Sequence, residues 1–163
     1  MSLDSVANKL IDSSKMYFWE NLDYSRLIAN AISRLDEKAS EGLDFDVYKI
    51  GNYCVKFAKE TTFKNLNEKA SFVEMISRLE KLCLDYFPPV HASFVDLPGR
   101  NEPEIALIMP WMELKRNIAF KGNIEKCFRD SLLKHGYVLM DFCQVGLIDN
   151  KPYVYDLSSL KKV

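Results

Sequence analysis

The sequence predicts an α+β fold in which an antiparallel sheet packs against one long helix, with a helical extension before it and a smaller helix-plus-hairpin unit after it. Three observations carry this prediction. Two β-rich runs, FDVYKI and YCVKFA, flank Gly51-Asn52, and a two-residue glycine-containing turn between such runs signals a hairpin. Residues 63–86 repeat apolar positions at helical spacing and stop at Pro88-Pro89. The closing segment brings Asp141 and Asp156 to the ends of short apolar runs separated by a turn at Asp149-Asn150-Lys151.

Size and composition bound the options. A chain of 163 residues makes one ordinary domain or two small lobes. Apolar residues are 48% of it, with ten Phe and eight Tyr, enough for a packed core rather than disorder. A net charge of -1 supplies no basic field, so nucleic acid is not expected as a partner. No apolar run approaches the roughly 18 residues of a membrane span, so no membrane partner is expected either. MSLDSVANKLIDSSK has early acids and no long apolar stretch, so it does not read as a secretory signal. The expected location is the cytoplasm. Cys54, Cys83, Cys127 and Cys143 form no C-x-x-C pair, and His91 and His135 are far apart in sequence, which argues against zinc. Each cysteine sits among apolar residues and is expected to be a buried free thiol.

Three regions follow in order. Residues 1–40 form the helical extension. Val6, Leu10, Ile11, Tyr17, Phe18 and Leu22 recur at helical spacing, and a second helix carries Leu27, Ile28, Ala31, Ile32 and Leu35, with Asp23 or Ser25 as N-cap. Residues 41–113 hold the hairpin of runs 45–50 and 53–58, then the long helix with an apolar stripe of Phe72, Val73, Ile76, Leu79, Leu82 and Cys83. Two further strands, 91–97 and 104–109, are joined through Pro98, Gly99, Asn101 and Pro103. Residues 114–163 hold a helix ending near His135, with Gly136 just past it as a C-cap. Strands at 137–140, 145–148 and 153–155 follow.

This order of lysine-bearing hairpin, glutamate-bearing helix, strand pair, apolar connector, helix and two aspartate-bearing loops resembles the protein-kinase-like fold. The family includes protein kinases and small-molecule phosphotransferases, and the resemblance covers about residues 45–160. Tyr53-Cys-Val-Lys56-Phe57 resembles the V-A-I-K strand, which implies that Lys56 meets nucleotide phosphates. The glutamate that would orient Lys56 is chosen by periodicity. Glu68 is four before Phe72 and eight before Ile76, with Glu80 and Glu74 as fallbacks. Residues 105–112 resemble the connector between lobes. They imply Met109 as gatekeeper, Pro110 and Met112 as adenine-edge partners and Trp111 at the pocket mouth. Residues 133–141 resemble the approach to the catalytic loop, which implies that Asp141 orients an incoming hydroxyl. Tyr155-Asp156-Leu157-Ser158 resembles the metal-binding Asp-Phe-Gly turn, which implies Asp156 as a Mg²⁺ ligand beside ATP.

Departures from the family pattern are as informative. No G-x-G-x-x-G precedes the lysine strand. The position of the second metal ligand, an Asn in the family, is Gly146, or Gln144 if the hairpins are aligned instead. Ser158 replaces the glycine of the metal turn, and the expected scaffold is truncated there, without a platform for a peptide substrate. The resemblance therefore implies a kinase-like pseudoenzyme or protein-interaction module. The alternative is a minimal ATP- and Mg²⁺-dependent phosphotransferase whose acceptor site a partner completes. Short chains of this kind look like phage or bacterial effector products. A protein partner is expected, as a hetero-complex or a homodimer, because a truncated C-terminal lobe leaves apolar surface uncovered.

Overall fold

The computed structural model of the chain describes residues 22–114, 118 and 121–163. The first predicted helix, with apolar residues from Val6 to Leu22, lies outside them except for Leu22. The second is α1, Tyr24–Ile32. Asp23 is its N-cap, and the Asp23 carboxylate accepts the Arg26 amide hydrogen at 3.1 Å. Ala31 is buried, and Leu27, Ile28 and Ile32 pack half-buried onto one face of the main sheet. The Tyr24 ring stacks on His91 at 3.8 Å.

The main sheet contains β1 (Ser40–Glu41), β2 (Phe45–Ile50), β3 (Tyr53–Ala58), β4 (His91–Val95) and β5 (Glu104–Pro110). It is antiparallel throughout, in the order β1-β2-β3-β5-β4. The β2–β3 hairpin has the predicted bounds because its turn is chemically local. Gly51 takes the left-handed φ of 59° that the turn needs. Alternation then sends Val55 and Phe57 toward α1, and Cys54 and Ala58 into the core on the opposite face.

Helix α2 spans Leu66–Lys81, with Asn65 as its N-cap. It ends five residues earlier than the apolar pattern predicts. Cys83 and Tyr86 take left-handed backbone, φ 52° and 62°, and turn the chain before Pro88-Pro89 is reached. Beyond the sheet lie β6 (Glu113–Leu114), α3 (Lys121–Lys134), β7 (Tyr137–Leu139), β8 (Val145–Ile148), β9 (Lys151–Val154) and β10 (Leu160–Lys162). Strands β6-β8-β9 form one small sheet, and β7 pairs with β10 in another. Asp149 and Asn150 both have positive φ, 48° and 64°, as a two-residue type I′ hairpin requires. Gly146 lets β8 pass under the connector, since a Cβ there would sit 2.7 Å from the Met112 Cβ.

The larger of two hydrophobic clusters runs through both parts, from Phe45 to Leu160, with the rings of Phe87 and Phe128 stacked within it at 6.2 Å, and the smaller lies between the sheet and α1. All four cysteines are free, yet only Cys54 and Cys143 are buried. Cys83 is exposed in the turn after α2. Cys127 lies off the buried stripe of α3, which is Ile124, Phe128 and Leu132. Among the described residues no helix is long and apolar enough to cross a membrane.

Candidate functional site

Lys56 sits in mid-strand on β3, between Val47 of β2 and Leu107 of β5, and is only 5% exposed. Its ammonium lies 3.8 Å from the centre of the Tyr155 ring and donates to the Tyr155 carbonyl oxygen at 3.2 Å. Burial pulls the Lys56 pKa below its ordinary value, while the Cys54 thiol and the Asp156 carboxylate pull it up. Burial likewise pushes the Cys54 thiol and the Tyr155 hydroxyl up. Lys56, Cys54, Tyr155 and Asp156 thus form one packed group in which the aromatic ring covers the charge.

Glu68 is not part of that group. It lies exposed on the first turn of α2, where its amide donates to the Asn65 side chain, and it makes no ion pair with Lys56. The inward stripe runs through Lys69, Phe72, Ile76 and Leu79. Glu68 is four before Phe72 and Lys69 is three before it, so helical spacing admits both, and it is Lys69 that turns inward. The Lys69 ammonium donates to the Pro103 carbonyl at 3.0 Å and lies 3.4 Å from the Glu104 carboxylate and 3.8 Å from that of Glu102. Arg100 holds the other Glu104 oxygen at 2.8 Å. Of the alternative glutamates, Glu74 pairs with Arg78 at 2.8 Å and Glu80 is half-buried near the helix end.

The aspartate loops are tied to each other. The Asp141 amide donates to the Ser159 hydroxyl at 3.0 Å, and the Met140 amide donates to the Ser159 carbonyl at 3.2 Å. Arg129 of α3 donates to the carbonyls of Leu139 and Asp141. The Asp141 residue itself is exposed. Asp156 is half-buried, and one of its carboxylate oxygens accepts the Ser158 amide at 2.9 Å, capping its own turn. Gln144 is exposed, and its carbonyl accepts the Tyr155 amide at 2.7 Å. In the connector, Met109 and Met112 are buried and Pro110 is half-buried. The Trp111 amide donates to the Asn52 carbonyl at 2.9 Å, and the Lys49 ammonium lies 5.0 Å over its ring.

A cleft of about 860 Å³ lies elsewhere, between α2 and β10. Glu68, Met75 and Arg78 line one wall, and Asp141, Ser159 and Lys162 line the other. The predicted residues are thus divided. Glu68 and Asp141 share this cleft. Lys56 rests on Tyr155, with Asp156 next in sequence to that ring but outside ion-pair distance, and neither they nor Met109, Pro110, Met112 or Gln144 line the cleft. The Lys56 ammonium, which the resemblance assigns to nucleotide phosphates, is in contact with the ring and carbonyl of Tyr155. Among the described residues no three His, Cys, Asp or Glu side chains are grouped to hold a metal ion.

No protein-family model, curated protein or solved structure matches this chain. Tyr155, Lys69 and Glu104 are the central residues that sequence reasoning passes over. Glu104 carries a usable signal, as a carboxylate opening the apolar run EIALIM, where burial demands a cation.

Proposed function

We propose that this chain is a binding module, a kinase-like pseudoenzyme whose scaffold engages another protein. One observation carries the reading: the residues that a phosphotransferase would gather in one place are split between a closed group and a separate cleft. Lys56 and Asp156 lie with Tyr155, while Glu68 and Asp141 face the cleft beside α2. The kinase-like part of the reading is supported by element order. A lysine strand, a long helix, a strand pair, a connector, a helix and two tied aspartate loops follow one another on an α+β frame.

Thermal unfolding with millimolar ATP and MgCl₂ tests this. The expected result is an unchanged melting temperature. A nucleotide present at 100 times its Kd would instead stabilise the fold by about 2.7 kcal/mol. A shift that Asp156→Ala abolishes overturns the reading in favour of an ATP- and Mg²⁺-dependent phosphotransferase whose acceptor site a partner completes.

A further inference from the structure

Strand β4 closes one side of the main sheet, and no strand pairs with its outer edge among the described residues. The ladders fix which of its backbone groups lie on that edge. The Trp111 amide donates to the Asn52 carbonyl at 2.9 Å, one step beyond the pairing of Tyr53 with Pro110. Bonded and non-bonded pairs alternate in an antiparallel ladder, so Met109, Leu107 and Ile105 turn their backbone groups toward β3. Ile108, Ala106 and Glu104 turn theirs toward β4, where they pair with His91, Ser93 and Val95. The amides and carbonyls of Ala92 and Phe94 therefore point outward, and no backbone bond meets them among the described residues. Open edges are normally guarded by charge, proline or shortness. Strands β1 and β6 are two residues long and carry Glu41 and Glu113. Strand β9 carries Lys151 and Pro152, β10 carries Lys161 and Lys162, and Arg129 holds the Leu139 carbonyl of β7. Strand β4, His-Ala-Ser-Phe-Val, has none of these guards, and its Phe94 is 42% exposed. Burial lowers the His91 pKa, so the strand is uncharged at neutral pH.

We propose that β4 pairs antiparallel with β4 of a second copy of this chain, about a twofold axis at Ser93, so that two main sheets join into one. The strand is complementary to itself in this register. Centring on Ser93 overlaps the whole of both strands and sets the outward Ala92 of each copy against the outward Phe94 of the other, with a pair of hydrogen bonds at each place. On the α2 side each Phe94 ring then lies beside an alanine, large against small. On the α1 side, where His91 stacks on Tyr24 and Val95 joins the smaller cluster, His91 falls opposite Val95. Ser93 falls opposite Ser93 in a non-bonded pair, where facing side chains come closest. The Ser93 hydroxyl is buried and has no hydrogen-bond partner among the described residues. A turn about χ1 lets the two hydroxyls bond each other across the axis. Asp96, just past the strand, meets Val90 and not a like charge. This pairing uses no residue of the candidate site and stands whether or not the binding-module reading does.

Sedimentation equilibrium of the full chain tests the pairing. The expected mass at high concentration is that of two 18.9 kDa chains. Phe94→Lys guards the edge and sets two lysines diagonally across the axis, and should return the mass to one chain. Phe94 is exposed, so this variant keeps its fold, which an unchanged circular dichroism spectrum checks. Ser93→Cys gives an independent readout. A non-bonded antiparallel pair brings its Cα atoms to about 4.5 Å, within disulfide reach. Oxidation by dissolved oxygen with copper phenanthroline should therefore link two Ser93→Cys chains, beyond any link that the wild-type cysteines form. Phe94→Cys, whose residue faces an alanine, should not exceed the wild type. A monomer at every concentration, a dimer that Phe94→Lys leaves intact, or equal linking of the Ser93→Cys and Phe94→Cys chains overturns the pairing.

Discussion

Two lysines are almost wholly buried on the same side of the main sheet, and they are neutralised in opposite ways. Lys69 reaches from α2 to a carboxylate, Glu104, which Arg100 also holds. Lys56 reaches from β3 to no carboxylate within ion-pair distance among the described residues, and rests on the ring and carbonyl of Tyr155. The kinase-like resemblance implies a strand lysine paired with a helix glutamate. Here the tie between helix and sheet has its charges exchanged, with the lysine on the helix and the glutamate on the strand. A one-residue step along α2, from Glu68 to Lys69, accounts for this. It frees Glu68 for the cleft and leaves Lys56 to the aromatic ring. An ion pair buried this deeply is costly to break, whereas a lysine under a ring is costly to keep charged.

The largest effect that can break this contrast is at Glu104. Glu104→Ala strands the Lys69 ammonium in the interior with a carbonyl and a more distant, exposed Glu102, and should destabilise the fold by about 3 kcal/mol. Pairing it with Lys69→Met removes the stranded charge and should recover most of that loss, as a double-mutant cycle in urea would measure. A small cost for Glu104→Ala alone would mean that the two lysines are held alike after all.

The next effect is of opposite sign. Lys56→Met replaces a desolvated ammonium with an apolar chain of similar volume, and no buried carboxylate loses an ion-pair partner. Stability at neutral pH should hold or rise, by up to about 1 kcal/mol. The pH dependence follows from the lowered pKa of Lys56. Between that lowered value and the ordinary 10.5 the unfolded chain binds more protons than the folded one. Wild-type stability therefore gains from Lys56 as pH rises through this window. The advantage of Lys56→Met should accordingly shrink as pH climbs toward 10.5. Taking the difference between the two proteins cancels the alkaline titrations common to both. An advantage that grows with pH, or a variant clearly less stable at pH 7, would show that the ring compensates the charge fully.

The parts of this contrast that could be read in the sequence are the local ones. The Gly51 turn and the Asp23 cap each depend on a few adjacent residues, and the structure has both; the last hairpin also turns at Asp149-Asn150, but Lys151 already pairs with Ile148 and opens β9 rather than belonging to the turn. An inward-facing Lys56 is what the V-A-I-K resemblance implies, since both faces of YCVKFA are largely apolar and alternation alone does not choose between them. Its partner is implied by neither, because Tyr155 lies 99 residues away and no periodicity links them. Residues Glu68 and Lys69 both satisfy helical spacing to Phe72, and only the packing against Pro103 and Glu104 decides between them. Strand β10 was illegible for a related reason: LKK has no alternation of its own and becomes a strand only by pairing with β7.

The smallest expected effect bears most directly on the site. Glu68→Ala removes an exposed carboxylate that makes no ion pair with Lys56, and α2 keeps its Asn65 cap because that bond uses the Glu68 amide. Its cost should stay within about 0.5 kcal/mol, and the double variant with Lys56→Met should be additive to the same margin. Coupling above about 1 kcal/mol would mean that the two residues meet in solution, with α2 turned so that Glu68 replaces Lys69 at the sheet. That rotation would bring the pair demanded by phosphoryl transfer together and expose Lys69. Additivity keeps them apart, with Glu68 facing the cleft beside β10 and Lys69 held at the sheet.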